Sequence, residues 1–410
     1  MNLLPDTKIS DLKECQTVPS EGEITPRIRM KHISHLDLDG YGATMLSEYV
    51  ADSYPEGFFY LETENILPSK LNDMMAEVIA NIDSWDIVVV TDLSINKDLI
   101  DMINVCPEKD KIHIFDHHEY DRDIITELPE TVIVQQYIDP EDDLRENPQG
   151  KLTCATALYF KFLSADPIYD LIKVKCAVDG DVAKYLVDCI RVYDTFEFWP
   201  SRNDEPNELP LEYVEAPRLN TLFHILERGE FKDYIRHYLD VRKNYLTFSS
   251  ANYPHISEIL RLESFKNKRY VDAALRRCIH TDFVCTVWKD GQPTDLKYRI
   301  GVVFAEKNGP IIGNTACENF DDIDFCAVVS NNQVSLYTDR PNINVRNIAK
   351  LFGGGGHAEA SGFTIPYVNA NVYNLDHFFK IIECAAHLIP GSIDSGNVEQ
   401  PSMEDVTDTN

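Results

Sequence analysis

The stretch DIVVVTD, residues 86–92, decides the fold class of this 410-residue chain. Ile87 to Val90 form a continuous run of β-branched residues, which is typical of a strand covered on both faces within a parallel sheet. Parallel strands need long crossover connections, and these are usually helices. The stretch ends on an acidic residue, Asp92, where the predicted strand leaves the sheet. It therefore predicts an α/β fold with a polar group at the carboxyl end of a central strand.

The segments on both sides of this strand alternate between strand and helix patterns. This alternation predicts an N-terminal, doubly wound, mostly parallel sheet. The further strand candidates are RIRMKHIS (27–34), FFYLET (58–63), KIHIF (111–115) and TVIVQQY (131–137), and the helix candidates are residues 42–53, 68–82 and 96–105.

The rest of the chain predicts helices, then a turn-rich insert at 199–217, and then a smaller C-terminal α/β domain. Strand patterns return at 284–288, 298–305, 325–330 and 333–338, and a helix at 345–352 follows them. We expect two lobes joined by helices. The predicted division is a flexible extension over 1–27, a first domain over 28–200, a helical linker over 201–279, a second domain over 280–390 and a disordered tail over 391–410.

The charge balance restricts the class of ligand. Lys and Arg number 38 against 68 Asp and Glu, which gives a formal charge of −30, and no block rich in Lys or Arg stands out. Proteins that hold long nucleic acids use basic tracks along many phosphates. The composition therefore argues against a long-DNA binder and favours a small phosphate-bearing ligand.

Cysteine usage and hydropathy indicate the compartment. The ten cysteines are scattered singly, a pattern that fits reduced thiols better than disulfides or a zinc cage. The chain contains no apolar run of membrane-spanning length and no secretory pattern at its start. We expect a cytoplasmic protein with no membrane partner, and self-association into a homodimer is left open.

Acidic and imidazole side chains recur where the predicted strands end, and a further one, Asp194, follows a predicted helical stretch. In open α/β sheets the carboxyl ends of neighbouring strands converge on one crevice. Carboxylates brought together there repel one another, and divalent cations resolve that repulsion. Oxygen and imidazole ligands without thiolate favour Mn²⁺, with Mg²⁺, Co²⁺ or Fe²⁺ as substitutes. The residues in question are His35, Asp37, Asp39, Asp92, Asp116, His117, His118 and Asp194.

A run of four glycines, 353–356, precedes His357. Glycines allow backbone N–H groups to approach an anion closely, and a histidine can donate to a phosphate. The alternative is a flexible helix cap and linker. The pattern favours an anion-binding loop.

Five motifs together resemble the DHH phosphoesterase family. In chain order they are HLDLDG (35–40), VVVTD (88–92), FDHH (115–118), YDTF (193–196) and FGGGGHAEASGF (352–363). The form of the first and fourth motifs is most similar to NrnB-type oligoribonucleases. The resemblance identifies residues 28–200 as a DHH catalytic domain and residues 280–390 as a DHH-associated, substrate-binding domain.

The resemblance also implies roles for single residues. Asp116 would orient a ligand, and His118 would reach the substrate phosphate. His32 is the alternative to His35 as a metal ligand. One metal would be held by His35, Asp37 and Asp92, and the second by Asp39, Asp92, His117 and Asp194, with Asp92 bridging.

In the second domain the resemblance implies that Gly353, Gly354, Gly355, Gly356 and His357 hold the nucleotide end of the substrate. Relatives often carry an arginine in the preceding strand, where this chain has Ser335-Leu336-Tyr337-Thr338. Arg340 or Arg346 is expected to supply that charge.

The activity implied is metal-dependent, exonucleolytic hydrolysis of short single-stranded RNA to nucleoside monophosphates, from the 3′ end, by water activated between two Mn²⁺ ions. Two alternatives use the same site: a phosphodiesterase for cyclic or linear dinucleotides such as pApA, and a phosphatase for 3′-phosphoadenosine 5′-phosphate. A catalytically idle nucleotide sensor is the alternative outside enzymes, and the complete set of ligand residues argues against it.

Overall fold

The computed structural model describes residues 28–52, 54, 56–118, 120, 122–141, 150–165, 180–199, 210–240, 254–289, 292–330 and 333–364. The chain divides into two compact units between Leu260 and Arg261. This division falls inside the predicted linker, 201–279. The predicted extension, 1–27, and the predicted tail, 391–410, lie outside the described residues.

The first unit contains a five-stranded sheet in the order β2-β1-β3-β4-β5, and every neighbouring pair is parallel. In this strand order the direction of winding reverses between β1 and β3, which is where such folds bind ligands. The strands are β1 (Ile28–His35), β2 (Phe59–Ile66), β3 (Ile87–Thr91), β4 (Ile112–Asp116) and β5 (Val132–Val134).

Helices cover both faces of this sheet. Along β3, Val89 packs into one apolar cluster while Val88 and Val90 pack into another, because successive side chains of a strand point to opposite faces. This double burial explains the continuous apolar run of the sequence. The helices are α1 (Leu38–Asp52), α2 (Leu71–Ala80), α3 (Lys97–Val105), α4 (Arg122–Ile125), α5 (Ala155–Ala165), α6 (Gly180–Asp194), α7 (Leu211–Ile225) and α8 (Arg228–Asp240).

The prediction of a turn-rich insert at 199–217 is wrong from Leu211 onward, where α7 begins. Proline and acidic residues suggested turns, and Pro217 lies inside the helix. Leu219, Leu222 and Phe223 are buried at helical spacing on one face. Burial of this face outweighs the local preference, as tertiary packing often does.

The second unit contains a six-stranded mixed sheet in the order β10-β11-β9-β8-β7-β6, in which β7 and β8 pair in parallel. The predicted fold class, α/β with two sheets, is therefore confirmed.

No helix in the described ranges is long and apolar enough to cross a membrane. The elements are α9 (Pro254–Leu275), which crosses the division, β6 (Ile279–Lys289), β7 (Gln292–Phe304), α10 (Gly309–Asn319), β8 (Phe325–Ser330), β9 (Gln333–Tyr337), α11 (Val345–Lys350), β10 (Gly355–Gly356) and β11 (Ala360–Thr364).

Candidate metal centre

Three adjacent strands, β1, β3 and β4, bring their carboxyl ends to one edge of the first sheet. β3 lies between the other two, so Asp92, the residue after it, is central. Asp92 is 2% exposed and has a φ of 57°, which is unusual for a non-glycine residue. Its N–H donates to the carbonyl of Phe115 at 3.0 Å. This bond to the neighbouring strand holds the Asp92 backbone in the left-handed conformation.

The first motif folds back on itself directly after β1. Nδ1 of His35 lies 2.8 Å from Oδ2 of Asp37 and 3.5 Å from Oδ2 of Asp92. The N–H of Gly40 donates to the other carboxylate oxygen of Asp37 at 3.0 Å. A Cβ at Gly40 would lie 2.3 Å from the carbonyl oxygen of His35. Only glycine therefore allows α1 to start so close to the end of β1.

Asp39 is held by the N-terminus of α5. Its two carboxylate oxygens accept hydrogen bonds from the N–H groups of Ala155, at 2.8 Å, and Thr156, at 2.9 Å. Helix N-termini stabilise negative charge in this way. The sequence did not reveal these partners, because they lie more than a hundred residues away and use backbone donors that any residue offers.

His117 lies among three carboxylates. Its Nε2 is 3.3 Å from Oδ2 of Asp194, 3.4 Å from Oδ1 of Asp92 and 3.9 Å from Oδ2 of Asp39. Asp194 ends α6, so a helix brings the fourth motif to the edge where the strands end. Burial alone would lower the pKa of His117, but Asp194 and Asp39 raise it above its ordinary value.

Asp116 is hydrogen-bonded to His118, and its expected role in orienting a metal ligand stays a prediction. Its Oδ1 lies 2.8 Å from Nδ1 of His118, and its Oδ2 accepts a hydrogen bond from the Tyr120 hydroxyl. That hydroxyl in turn accepts from the N–H of Ile95 at 2.8 Å. Tyr120 was not recognised in the sequence, where nothing distinguishes it from a surface tyrosine. The three side chains form one oriented unit beside the carboxylates.

The side chains form three groups in which one ligand atom from each residue lies within 4.8 Å of the others. Asp92 belongs to two of the groups, and so does His117. Across the described residues, the groups are His35-Asp37-Asp92, Asp39-His117-Asp194 and Asp92-His117-His118.

The electrostatics of these groups fit a divalent cation. Oδ2 of Asp92 and Oδ2 of Asp194 are buried and accept no hydrogen bond from the described residues. Burial, with the charges of Asp37 and Asp39, raises the pKa of Asp92 well above its usual range. Burial and the same neighbours raise the pKa of Asp194 to about 7, although His117 opposes the rise. The carboxylates outnumber the imidazoles beside them, and a metal ion would relieve the remaining repulsion between the carboxylates.

Cys154 is a neighbour of this site that the sequence did not reveal. It is fully buried beside Asp39, and burial together with the charges of Asp39 and Asp194 raises its pKa well above the usual range. Cys154 is not a member of the three groups of the described residues that could hold an ion. The donor set is oxygen and imidazole, which suits Mn²⁺ or Mg²⁺.

His32, the alternative to His35, lies elsewhere. It is completely buried, with Nδ1 2.7 Å from Oγ of Ser47 and Nε2 2.9 Å from Oγ1 of Thr91. The Ser47 hydroxyl is also hydrogen-bonded to the Tyr159 hydroxyl, and their oxygens are 2.8 Å apart. Both imidazole nitrogens thus take part in a buried hydrogen-bonded chain behind β3.

The glycine run in the second unit forms a tight turn into a short strand. Gly353 and Gly356 have φ values of 72° and 131°, and a Cβ at Gly354 would lie 2.1 Å from the carbonyl oxygen of Gly362. The N–H of His357 donates to the carbonyl of Ala360 at 2.7 Å. The conformation requires glycine, and its role in binding stays a prediction.

The two arginines expected near this loop lie in different settings. The guanidinium of Arg340 donates to the carbonyls of Asp321, at 3.1 Å, and Ile323, at 3.3 Å. Arg346 lies at the start of α11 and is 9% exposed. Arg340 therefore anchors a turn of its own unit, and the expectation that either residue meets substrate stays a prediction.

The fold and the clustered side chains define an α/β protein with a candidate divalent-metal centre. Its sequence is 27% identical over 340 residues to oligoribonuclease NrnB of Bacillus subtilis (strain 168), which is 82% of this chain and 73% of NrnB. The similarity confirms the resemblance to NrnB-type DHH phosphoesterases. No family model matches the chain.

Two solved structures align over most of the chain. Exonuclease RecJ bound to manganese has a TM-score of 0.47 and 14% identity, covering 89% of this chain and 91% of that one. An exopolyphosphatase-related protein from Bacteroides fragilis has a TM-score of 0.44 and 14% identity, covering 88% and 92%.

Proposed function

We propose that this protein is a divalent-metal-dependent phosphodiesterase that degrades short RNA from its 3′ end to nucleoside monophosphates. The observation that carries the proposal is the convergence of three groups of carboxylates and imidazoles on Asp92 and His117. The similarity to an oligoribonuclease over most of the chain supports the choice of substrate.

The proposed cofactor is a pair of Mn²⁺ ions, for which Mg²⁺ or Co²⁺ could substitute. His35, Asp37 and Asp92 would hold one ion. Asp39, Asp92, His117 and Asp194 would hold the other, with Asp92 shared. When bound, such a pair makes a water molecule nucleophilic near neutral pH and neutralises charge on the phosphate.

The Asp116-His118-Tyr120 unit is proposed to serve the phosphate. Burial alone would lower the pKa of His118, but the charge and hydrogen bond of Asp116 raise it. Because Nδ1 faces Asp116, Nε2 is the nitrogen that would donate to a phosphate oxygen. Tyr120 holds Asp116 in place from the other side.

The glycine run and His357 are proposed to position the terminal nucleotide. Gly353 and Gly355 are exposed, and nothing lies within 4 Å of the position that a Cβ would occupy at either. Backbone without side chains in open space can approach an anion closely.

The test uses RNA of two to five nucleotides, labelled at the 5′ end, with Mn²⁺. We expect progressive shortening from the 3′ end and release of nucleoside monophosphates. Asp194→Asn should lower the rate of RNA hydrolysis by at least about a hundredfold, because it removes a negative charge that would hold the cations. Asp188→Asn is the matched control, since Asp188 lies on the same helix and pairs with Lys184. An Asp194→Asn variant with wild-type activity would overturn the assignment, and intact RNA with the wild-type protein would overturn the function.

A further inference from the structure

A ladder of basic residues joins α8 to α1 within the first unit. Lys232 forms an ion pair with Glu48, and Nη2 of Arg236 lies 3.2 Å from Oδ2 of Asp52. Arg228 occupies the same face one turn earlier, because residues four apart on a helix are neighbours. The ladder therefore runs along α1 toward the end of that helix that carries Asp39.

Arg228 differs from the two other basic residues in its partners. No carboxylate in the described part of the chain forms an ion pair with it, whereas Lys232 and Arg236 both have one. Its Cζ lies 3.6 Å from the centre of the Phe223 ring, and one N–H donates to the carbonyl of Phe223. A guanidinium carries five N–H donors, so Arg228 has further donors for another acceptor.

Arg228 also lies beside the start of α1. Its Cζ is 5.4 Å from the centre of the Tyr41 ring. Tyr41 follows Gly40 and is two residues, or about 3 Å along the helix axis, from Asp39. The ring of Phe223 meets that of Tyr41 edge-on at 5.3 Å. A cation backed by two aromatic rings thus lies beside the first turn of α1, the helix that carries Asp39.

The pKa of the neighbouring His224 is affected by both Arg228 and Asp37. Burial lowers its pKa first, the charge of Arg228 lowers it further, and the charge of Asp37 raises it. One side chain is thus within electrostatic reach of both the basic group and a carboxylate of the centre.

We propose that Arg228, oriented by Tyr41 and Phe223, binds a second, non-scissile phosphate of the substrate. This inference rests on the proposed function and names a specificity determinant for it. In a chain with a charge of −30, a guanidinium that pairs with no carboxylate of the described residues, and that lies beside the first turn of the helix carrying Asp39, suits a phosphate. A phosphate in the metal centre and a second one at Arg228 require a ligand with two phosphates. A dinucleotide carries a second phosphate only when its 5′ end is phosphorylated, so among dinucleotides pApA is the preferred substrate over ApA.

The test compares pApA with ApA. Hydrolysis is measured with Mn²⁺, and equilibrium binding is measured by titration calorimetry with Ca²⁺ in place of Mn²⁺. We expect the wild-type protein to bind and cleave pApA about ten- to a hundredfold better than ApA, the range for a charge-assisted contact. Arg228→Ala should remove most of this preference by weakening pApA alone, and Arg228→Lys should restore part of it. If the role of Arg228 were purely structural, Arg228→Ala would reduce the binding and hydrolysis of pApA and of ApA by the same factor.

Arg236→Ala is the matched control, because it removes the same charge from the far end of the ladder. It should keep the wild-type preference. Equal loss of preference in Arg236→Ala and Arg228→Ala, or an Arg228→Ala protein with the wild-type preference, would overturn the inference. A wild-type protein that binds pApA through Arg228 but cleaves neither compound would overturn the proposed function and leave the inference standing.

Discussion

At the scale of single residues, the centre depends on Asp92 holding a left-handed backbone at the end of β3. A non-glycine residue in this conformation costs roughly 1–3 kcal/mol, and the surrounding structure must compensate. The bond from its N–H to Phe115 and the rigid strand before it, in which Thr91 is completely buried, provide that support. Aspartate tolerates this conformation better than most residues, so the position suits both the backbone and the charge.

The buried His32 predicts how stability depends on pH. Burial, and then the charge of Lys232, lower its pKa from 6.5 to about 3. The unfolded chain binds a proton below pH 6.5, whereas the folded protein does not until about pH 3. Stability from this group is therefore complete above pH 6.5 and falls as the pH is lowered through that window.

Urea unfolding between pH 4.5 and 7 in the presence of a chelator measures the effect. His32→Gln should make the decline in unfolding free energy shallower by up to about 1.4 kcal/mol per pH unit, the value for one proton. His280→Gln is the control, because His280 is not buried and pairs with Asp322. Parallel curves for His32→Gln and the wild type would contradict the account.

The sequence shows some residues of the centre and hides others for a physical reason. His35, Asp37 and Asp92 stand at strand ends, where side-chain type and position coincide in a pattern. Tyr120 and Cys154 contribute through contacts that only the folded chain creates. Asp116 was recognised, but its partner was not, because two adjacent histidines give no sequence signal of which one turns toward it.

At the scale of elements, a partly buried ion pair fixes the end of α6 that carries Asp194. Nη1 of Arg191 donates to the carbonyl of Leu152 at 3.0 Å and to Glu197. The Tyr213 hydroxyl donates to the other oxygen of Glu197 at 2.9 Å. This network ties α6 to the segment before α5, whose N-terminus holds Asp39.

Breaking that network should loosen metal binding without removing a ligand. Arg191→Met leaves the partly buried carboxylate of Glu197 without the guanidinium, so we expect a loss of about 1–3 kcal/mol in unfolding free energy. Mn²⁺ affinity should fall by about ten- to a hundredfold, the usual effect of removing support behind a ligand. Titration calorimetry with Mn²⁺ tests this, with Lys184→Met on the same helix as the control. An unchanged Mn²⁺ affinity in Arg191→Met would show that the ion pair does not hold Asp194 in position for metal binding.

The strands were more predictable than the helices that lie beyond the sheet. Continuous apolar runs such as 87–91 reflect burial on both faces, which local sequence records directly. α7 was missed because Pro217 and its acidic neighbours carry turn signals, and only packing in the folded unit shows why a helix forms there.

At the scale of the whole molecule, the first unit combines a doubly covered parallel sheet with an excess of acidic groups at one edge. The sequence revealed the sheet, because strand and helix periodicities are local. It could not show that the N-terminus of α5 reaches Asp39, because that contact depends on the packing of the unit. A chain with a formal charge of −30 concentrates several buried carboxylates at one place, and bound cations would relieve the repulsion between them.

The most direct test of the central claim is electron paramagnetic resonance of the protein titrated with Mn²⁺. Because Asp92 is shared by two candidate ligand groups, the wild-type protein should bind two Mn²⁺ ions and show the signal of a spin-coupled pair. Asp92→Asn keeps the shape of the side chain, and asparagine tolerates the same backbone conformation. The substitution should abolish the coupled signal. A wild-type protein with only isolated Mn²⁺ signals, or an Asp92→Asn variant with the coupled pair intact, would contradict the account.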